Sequence, residues 1–388
     1  MTAASDVIII GAGIAGSAAA FFLRQRGRSV TLLERGLAGQ QASGVNFGNV
    51  RRQGRRLEHL ALSNRASVTW RRMRELVGED IEYIPEGHIR VCYRDRPELL
   101  DEFAEYAREA GVRGLDLEIV TGAALRQRFP FFGPEVLGGS YSALDGHANP
   151  RLVAPAFARA ARRNGAEVIE NCEVLQVEKA GEDFLVSAAD ARCFRAPILL
   201  VAAGAWGNRF AAQFGEAVPM AVRGPTMSVT EPVPYSIHCA VGLVSPLDEE
   251  DVYFRQIPRG NLIIGGGLRG PAYPDLCRAY VLPRNTLGQF KQIRRLAPAV
   301  GRLNIIRVWS GIEGYLPDSQ PVMCPSRRTS GLYYAFGFSG GGFQLGPGVG
   351  DVMAELIDTG HTTTPIDMFD IGRAALSATA MAAIGDDA

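Results

Sequence analysis

Lysine is nearly absent from this chain. Of 41 basic side chains, only Lys179 and Lys291 are lysines, and arginine supplies the rest. The 41 acidic residues cancel them. Zero net charge leaves no bulk field to draw in nucleic acid or an anionic membrane, so neither is expected as a partner. Paired cysteines are missing too. Cys92, Cys172, Cys193, Cys239, Cys277 and Cys324 include no CxxC pair, which counts against a zinc or iron–sulfur centre built by this chain alone. Scattered thiols in a long chain suit a reducing compartment, and the cytoplasm is the expected location. The longest apolar run, Val7 to Leu23, is interrupted by Gly11, Gly13 and Gly16, and no basic residue precedes it. It is short for a bilayer span and lacks the basic start of a secretory leader. The histidines His59, His88, His147, His238 and His361 show no metal-ligand spacing. No metal site is expected.

Glycine, by contrast, is plentiful, with 45 in 388 residues against a usual share of about 7%. These glycines are clustered, which points to backbone packed closely against a phosphate or a ring. The length suggests two domains. Asp6–Ile10 reads as a buried strand, GAGIAG as a turn, Ile14–Arg26 as a helix and Ser29–Glu34 as a second strand, together a βαβ unit. Further helices are expected at 57–77, 97–110, 150–164, 284–296 and 348–359. Strands are expected at 87–93, 166–170, 174–179, 195–202, 222–230, 252–256, 262–265, 303–310 and 332–336. The α/β character at both ends and the β-rich middle imply an α/β (α+β overall) fold. A Rossmann-type dinucleotide domain, drawn from 1–86, 146–215 and 303–378, would interleave with an antiparallel substrate domain from 87–145 and 216–302. A frayed tail is expected at 379–388.

Two glycine-rich turns carry the chemistry. In Gly11-Ala12-Gly13-Ile14-Ala15-Gly16, the first glycine permits the tight turn and the second lets backbone approach a pyrophosphate. The third allows helix and strand to pack closely. The helix start offers N–H groups and a positive dipole to phosphate. Glu34 ends the next strand, where a carboxylate accepts ribose hydroxyls and repels a 2′-phosphate. The second turn contains Phe338, Ser339, Gly340, Gly341, Gly342, Phe343 and Gln344 ahead of another helix. A helix start there would stabilise the negative charge of a reduced flavin, which favours FAD over NAD.

DVIIIGAGIAG, the Glu34-Arg35 pair, QQASG at 40–44, AAGAW at 202–206 and GIEGYLPDSQPV followed by GFSGGGFQLGP together resemble the D-amino acid oxidase superfamily. Its members include glycine and sarcosine oxidases and D-amino acid dehydrogenases. NFGNVRRQGR, DGHANP and WSGIEGYLPD look most like the FAD subunits of D-hydroxyproline dehydrogenase and opine oxidase. The resemblance implies FAD, here noncovalent because the cysteine that attaches it in sarcosine oxidase has no counterpart near Ser310–Gly311. It implies oxidation of a C–N bond by hydride transfer to flavin N5, with an imine product that hydrolyses. It also implies that Ala42, Ser43, Gly44, Asn46, Phe47, Gly48 and Asn49 run along the flavin. Backbone at Val174 would meet the adenine, and Ala203, Gly204 and Trp206 would lie by the diphosphate.

Two departures from the family pattern matter. The arginine that grips the substrate carboxylate in glycine oxidase is replaced here by Glu313, so another arginine must take that role or the substrate presents a cation there. Arg51 is the first choice, because it matches a flavin-facing arginine of sarcosine oxidase. Arg55 shares its loop, Arg223 or Arg255 could reach in from the β-rich part, and Tyr253 and Tyr315 are further candidates to orient substrate. Secondly, neither lysine falls where sarcosine oxidase places its oxygen-activating lysine, which favours a dehydrogenase. The substrate would be a small amino or imino acid, and partner subunits would accept electrons, with any iron–sulfur centre supplied by them. The alternatives are an oxidase releasing hydrogen peroxide or a non-catalytic flavin-binding subunit.

Overall fold

The computed structural model describes residues 5–377, so the tail expected at 379–388 lies outside the described residues. Strand β1 (Val7–Ile10) is buried along its whole length. Val7 and Ile9 face one core while Ile8 and Ile10 face another, as a parallel strand covered on both faces requires. Helix α1 (Ile14–Gln25) follows, then β2 (Val30–Leu33). The sheet runs Val322–Pro325, Leu332–Phe336, Ile198–Val201, β1, β2, Glu167–Ile169. All neighbours are parallel except the first pair. One face packs on α1 and on the helices Pro150–Arg163 and Gly342–Thr359. The other face packs on a three-stranded antiparallel sheet formed by residues 174–196.

A second, ten-stranded sheet draws its strands from 88–142 and 221–315. It is antiparallel apart from the pairing of Ala240–Leu243 with His88–Tyr93. Ile89, Val91, Val252, Phe254 and Ile264 build a core on one face, where Ile293 and Leu296 of the helix Pro283–Leu296 cover them. The segment 303–315, read from sequence with the dinucleotide part, pairs here instead. Ile305–Ser310 and Glu313–Tyr315 both lie against Ala221–Thr230.

Two other expectations change. The strand expected over 195–202 is two strands in different sheets, Cys193–Ala196 and Ile198–Val201. Pro197 separates them, and it has no N–H to continue a ladder. The last helix starts at Gly342 rather than 348. Glycines keep it close to its neighbours: a Cβ at Gly346 would lie 2.4 Å from the Ile14 side chain, and one at Gly350 would lie 2.4 Å from that of Ala18. Some of the second glycine cluster therefore serves helix packing. It brings the N-termini of α1 and the last helix to one place.

Candidate active site

A cavity of about 680 Å³ runs between the parallel sheet and the free face of the ten-stranded sheet. At one end the first glycine turn forms its wall. Gly11 has φ +102°, and a Cβ there would come within 2.6 Å of the Ala202 carbonyl. A Cβ at Gly16 would strike the Gly11 carbonyl at 2.0 Å. Gly11, Gly13, Ile14 and Ala15 line the cavity, whereas Ala12 and Gly16 do not. Ala12 donates its N–H to Glu34 at 2.8 Å, and Gly36 donates to the other Glu34 oxygen at 2.9 Å. A carboxylate has about four acceptor positions, so Glu34 keeps capacity for hydroxyl donors on its cavity side. The N–H of Ile14 is taken by the Ser43 hydroxyl at 2.9 Å. Arg35 lies over the Trp206 ring at 4.2 Å, and both line this end with Val174, Ala203 and Gly204.

The loop after β2 forms the long side. Ala42, Ser43, Asn46, Phe47 and Asn49 face the cavity. Asn46 spends its side chain on the loop itself, donating to the carbonyls of Ala42 and Ser43 and accepting from the Gly48 N–H. Gly44 and Gly48 do not line the cavity. Their missing side chains admit the Gly39 and Ala148 carbonyls, 2.2 and 2.3 Å from an added Cβ. The second glycine turn closes the other side with Phe338, Ser339, Gly340, Gly341 and Gly342. Ser339, at φ +48°, accepts the Leu316 N–H at 3.0 Å. Phe343 and Gln344 also reach the cavity. Trp70 packs on the Phe343 ring at 5.2 Å and donates to the Gln344 carbonyl at 2.8 Å.

At the far end the free face of the ten-stranded sheet contributes His88 and Arg90 from one strand and Tyr253 from another, with Asp251 just before it. Period-two alternation makes this face the counterpart of the Ile89/Val252 core. Glu313 and Tyr315 enter from their short strand, and the Tyr315 hydroxyl donates to Glu313 at 2.7 Å. Arg269 lies over the Tyr315 ring at 4.6 Å. Burial pushes the Glu313 carboxyl above its usual range, which Tyr315 and Arg269 partly oppose. The loop 51–55 brings Arg51 and Arg55 to the same end. That loop is fixed from behind: Arg52 and Gln53 donate backbone N–H groups to Asp145, and the buried Arg52 side chain pairs with it at 3.3 Å.

Of the residues expected to act on substrate, Arg51, Arg55, Glu313, Tyr253 and Tyr315 thus share one chamber. Neither Arg223 nor Arg255 lines it. The Arg255 guanidinium donates to the Phe47 carbonyl at 2.7 Å and meets the His147 ring at 3.1 Å, which anchors the loop after β2. Sequence reasoning missed Arg90, Asp251 and Arg269. The alternation of GHIRVCY does mark Arg90 as outside the core, but it does not say what that face meets. Among the described residues, no cluster of His, Cys, Asp or Glu could hold a metal ion. No helix among them is long and apolar enough to cross a membrane.

Two helix N-termini, side-chain-free backbone at Gly11 and Gly13, and a carboxylate with spare acceptors fit a dinucleotide cofactor. Residues 6–356 match the family model for DAO, FAD dependent oxidoreductase. The chain belongs to this family. Glycine oxidase of Geobacillus kaustophilus is 26% identical over 387 residues, covering 96% of this chain and 98% of its own. An opine oxidase subunit of Agrobacterium tumefaciens is 26% identical over 384 residues, covering 95% and 97%. Among solved structures, L-proline dehydrogenase from P. horikoshii superposes with a TM-score of 0.88 at 25% identity, covering 96% of this chain and 98% of that one. As a DAO-family protein the chain is an FAD-dependent oxidoreductase, and the cofactor read from its glycine turns is FAD.

Proposed function

We propose that this enzyme oxidises the C–N bond of an amino or imino acid, of the D-amino acid, D-proline or opine type, and delivers the electrons to an acceptor other than oxygen. The observation that carries this reading is the pairing of Glu313 with an arginine-lined wall in one chamber beside the second glycine turn. A carboxylate is suited to an amine and a guanidinium to an acid. Bound FAD, held noncovalently, supplies the acceptor for the hydride that leaves the carbon next to nitrogen.

The chain's own groups do the rest. Arg51 holds the substrate carboxylate and thereby orients the C–H bond. Glu313, at the tip of its short strand, holds the ammonium and takes one proton from nitrogen. The neutral amine that remains loses a hydride from carbon as the C=N bond forms, and the resulting iminium gives its further N–H proton to water after release. Tyr315 donates to Glu313 and keeps that carboxyl aimed. Tyr253, packed edge-on against Phe47 at 4.8 Å, shapes the chamber and excludes water. Water then hydrolyses the released imine to a carbonyl compound.

The preference for an acceptor other than oxygen rests on the lysines. Lys179 lies over Phe184 on the three-stranded sheet, Lys291 is exposed on the helix Pro283–Leu296, and neither lines the cavity. A partner subunit carrying an iron–sulfur centre would serve as acceptor. The scattered placement of the cysteines along the chain, with no CxxC pair, supports the cytoplasm as the compartment. We assign cofactor binding to the parallel sheet and its helices, and substrate binding to the ten-stranded sheet, with 303–315 moved to the latter.

Anaerobic mixing of the holoenzyme with a panel of D-amino acids, cyclic imino acids and N-carboxyalkyl amino acids tests the reading. Bleaching of the flavin by at least one class is expected, with slow recovery and little peroxide when air is admitted. A flavin that no amine bleaches would overturn the enzymatic reading, and fast stoichiometric peroxide would overturn the choice of acceptor.

A further inference from the structure

Three guanidinium groups crowd one end of the chamber without a carboxylate partner. Among the described residues, Arg51, Arg55 and Arg90 make no ion pair within 4.0 Å. Arg51 spends one N–H on the Gln53 carbonyl, and Arg55 spends two, on the carbonyls of Arg51 and Gly341 at 3.1 Å each. Arg90 rests its guanidinium over the Phe103 ring at 5.5 Å. All three line the cavity. Burial lowers all three, and repulsion from Arg51 adds to this at Arg55, which stands at about 9, and at Arg90, at about 10, so these two stay charged at neutral pH. The convergence depends on Gly54. A Cβ there would lie 2.1 Å from Arg90 Nη1 and 2.9 Å from Arg51 Nη1, and its φ is +67°. Asp251 lines the cavity and acts on Arg51 and Arg90, whereas Asp145 behind the loop is already paired with Arg52 and Glu313 is met by Tyr315 and Arg269, so one carboxylate is left to answer the three guanidinium groups.

One guanidinium fork saturates one carboxylate. Two unanswered forks after Asp251 is counted call for two anionic groups on the ligand. We propose that Arg51, Arg55 and Arg90 form a double carboxylate receptor, so that the substrate is an amino or imino acid bearing two carboxylates. Arg51 takes the carboxylate next to the reacting carbon. Arg55 and Arg90 take the second, carried on the nitrogen substituent or the side chain. The amine reading above supplies the word amino; the receptor itself stands on the three arginines.

Calorimetric titration of the oxidised holoenzyme with unreactive acids tests the receptor without turnover. Succinate and glutarate should bind about 10- to 100-fold more tightly than butyrate, the worth of one further charge-assisted pair. Arg90→Leu should bring succinate down toward the level of butyrate. Equal binding of succinate and butyrate by the natural protein overturns the receptor, and that comparison needs no variant to fold. Inorganic phosphate binding more tightly than both diacids overturns it too, in favour of a phosphorylated ligand. The two readings fail separately. Succinate preference with no bleaching by any dicarboxylic amine keeps the receptor and sinks amine oxidation. Bleaching by a monocarboxylic amino acid with no succinate preference does the reverse.

Discussion

Glu313 is a carboxylate kept in a place that disfavours its charge. Its position above the usual carboxyl range is set first by burial, with Tyr315 and Arg269 opposing. The acid limb of kcat/KM should therefore lie above the ordinary carboxyl pKa. Glu313→Gln should abolish that limb and lower kcat/KM by about 10²- to 10⁴-fold, the usual worth of a positioned proton acceptor. Stability should move the other way. A carboxyl raised by folding favours the folded state while protonated, and that contribution is lost as pH rises through its folded pKa. Glu313→Gln should consequently melt higher than the natural protein at pH 8, with the gap closing toward pH 4. Thermal melts of the two holoenzymes at both pH values check this, and an equal gap at both would count against a buried ionised Glu313.

Two elements hold the chamber's walls, and each has a distinct failure. The loop 51–55 hangs on the buried Arg52–Asp145 pair and on two backbone N–H groups that point at Asp145. Asp145→Asn leaves a buried guanidinium unpaired and should cost about 3–5 kcal/mol. In what remains folded, KM for the acid substrate should rise more than kcat falls, because Arg51 and Arg55 lose their mounting. Urea unfolding and steady-state kinetics measure the two effects. The second wall is the approach of the last helix to α1. A Cβ at Gly350 would meet Ala18 Cβ at 2.4 Å and Ala19 N at 2.6 Å, so Gly350→Val should cost about 1–3 kcal/mol by overpacking. It should also part the two helix starts and lower the flavin retained on purification, which the ratio of visible to protein absorbance reports.

At the scale of the whole molecule, the cavity is shared between two sheets, each of which supplies part of its wall. Binding a ligand to the folded state alone stabilises it, by about 2.7 kcal/mol when free ligand is 100 times its Kd. The melting temperature should thus climb with added FAD, and apoprotein stripped of flavin should melt at a lower temperature, insensitive to NAD. This partition also explains what could be read in advance. Gly11, Gly13, Gly16 and Glu34 lie within one βαβ unit, where spacing along the chain and neighbourhood in space coincide. Arg90, Asp251 and Arg269 meet only because a ten-stranded sheet brings distant segments to one face, and no local pattern encodes that meeting. Arg255 misled for the same reason, since its strand faces the cavity while its side chain turns to Phe47 and His147. The start of the last helix was hidden by glycine, whose low intrinsic preference for helix is overridden by packing on Ile14 and Ala18.

The indoles have a use that owes nothing to catalysis. The chain has three tryptophans. Trp206 lines the cavity. Trp70 is bonded to the Gln344 carbonyl, and Trp309 donates to the Val45 carbonyl at 2.7 Å. Each indole thus lies on the cavity wall or is bonded to a segment that reaches it. Ultraviolet emission from the unlabelled protein should be dim when FAD is bound and brighten as it leaves. A plain fluorimeter would then follow cofactor loading in real time, with no dye attached and no substrate known.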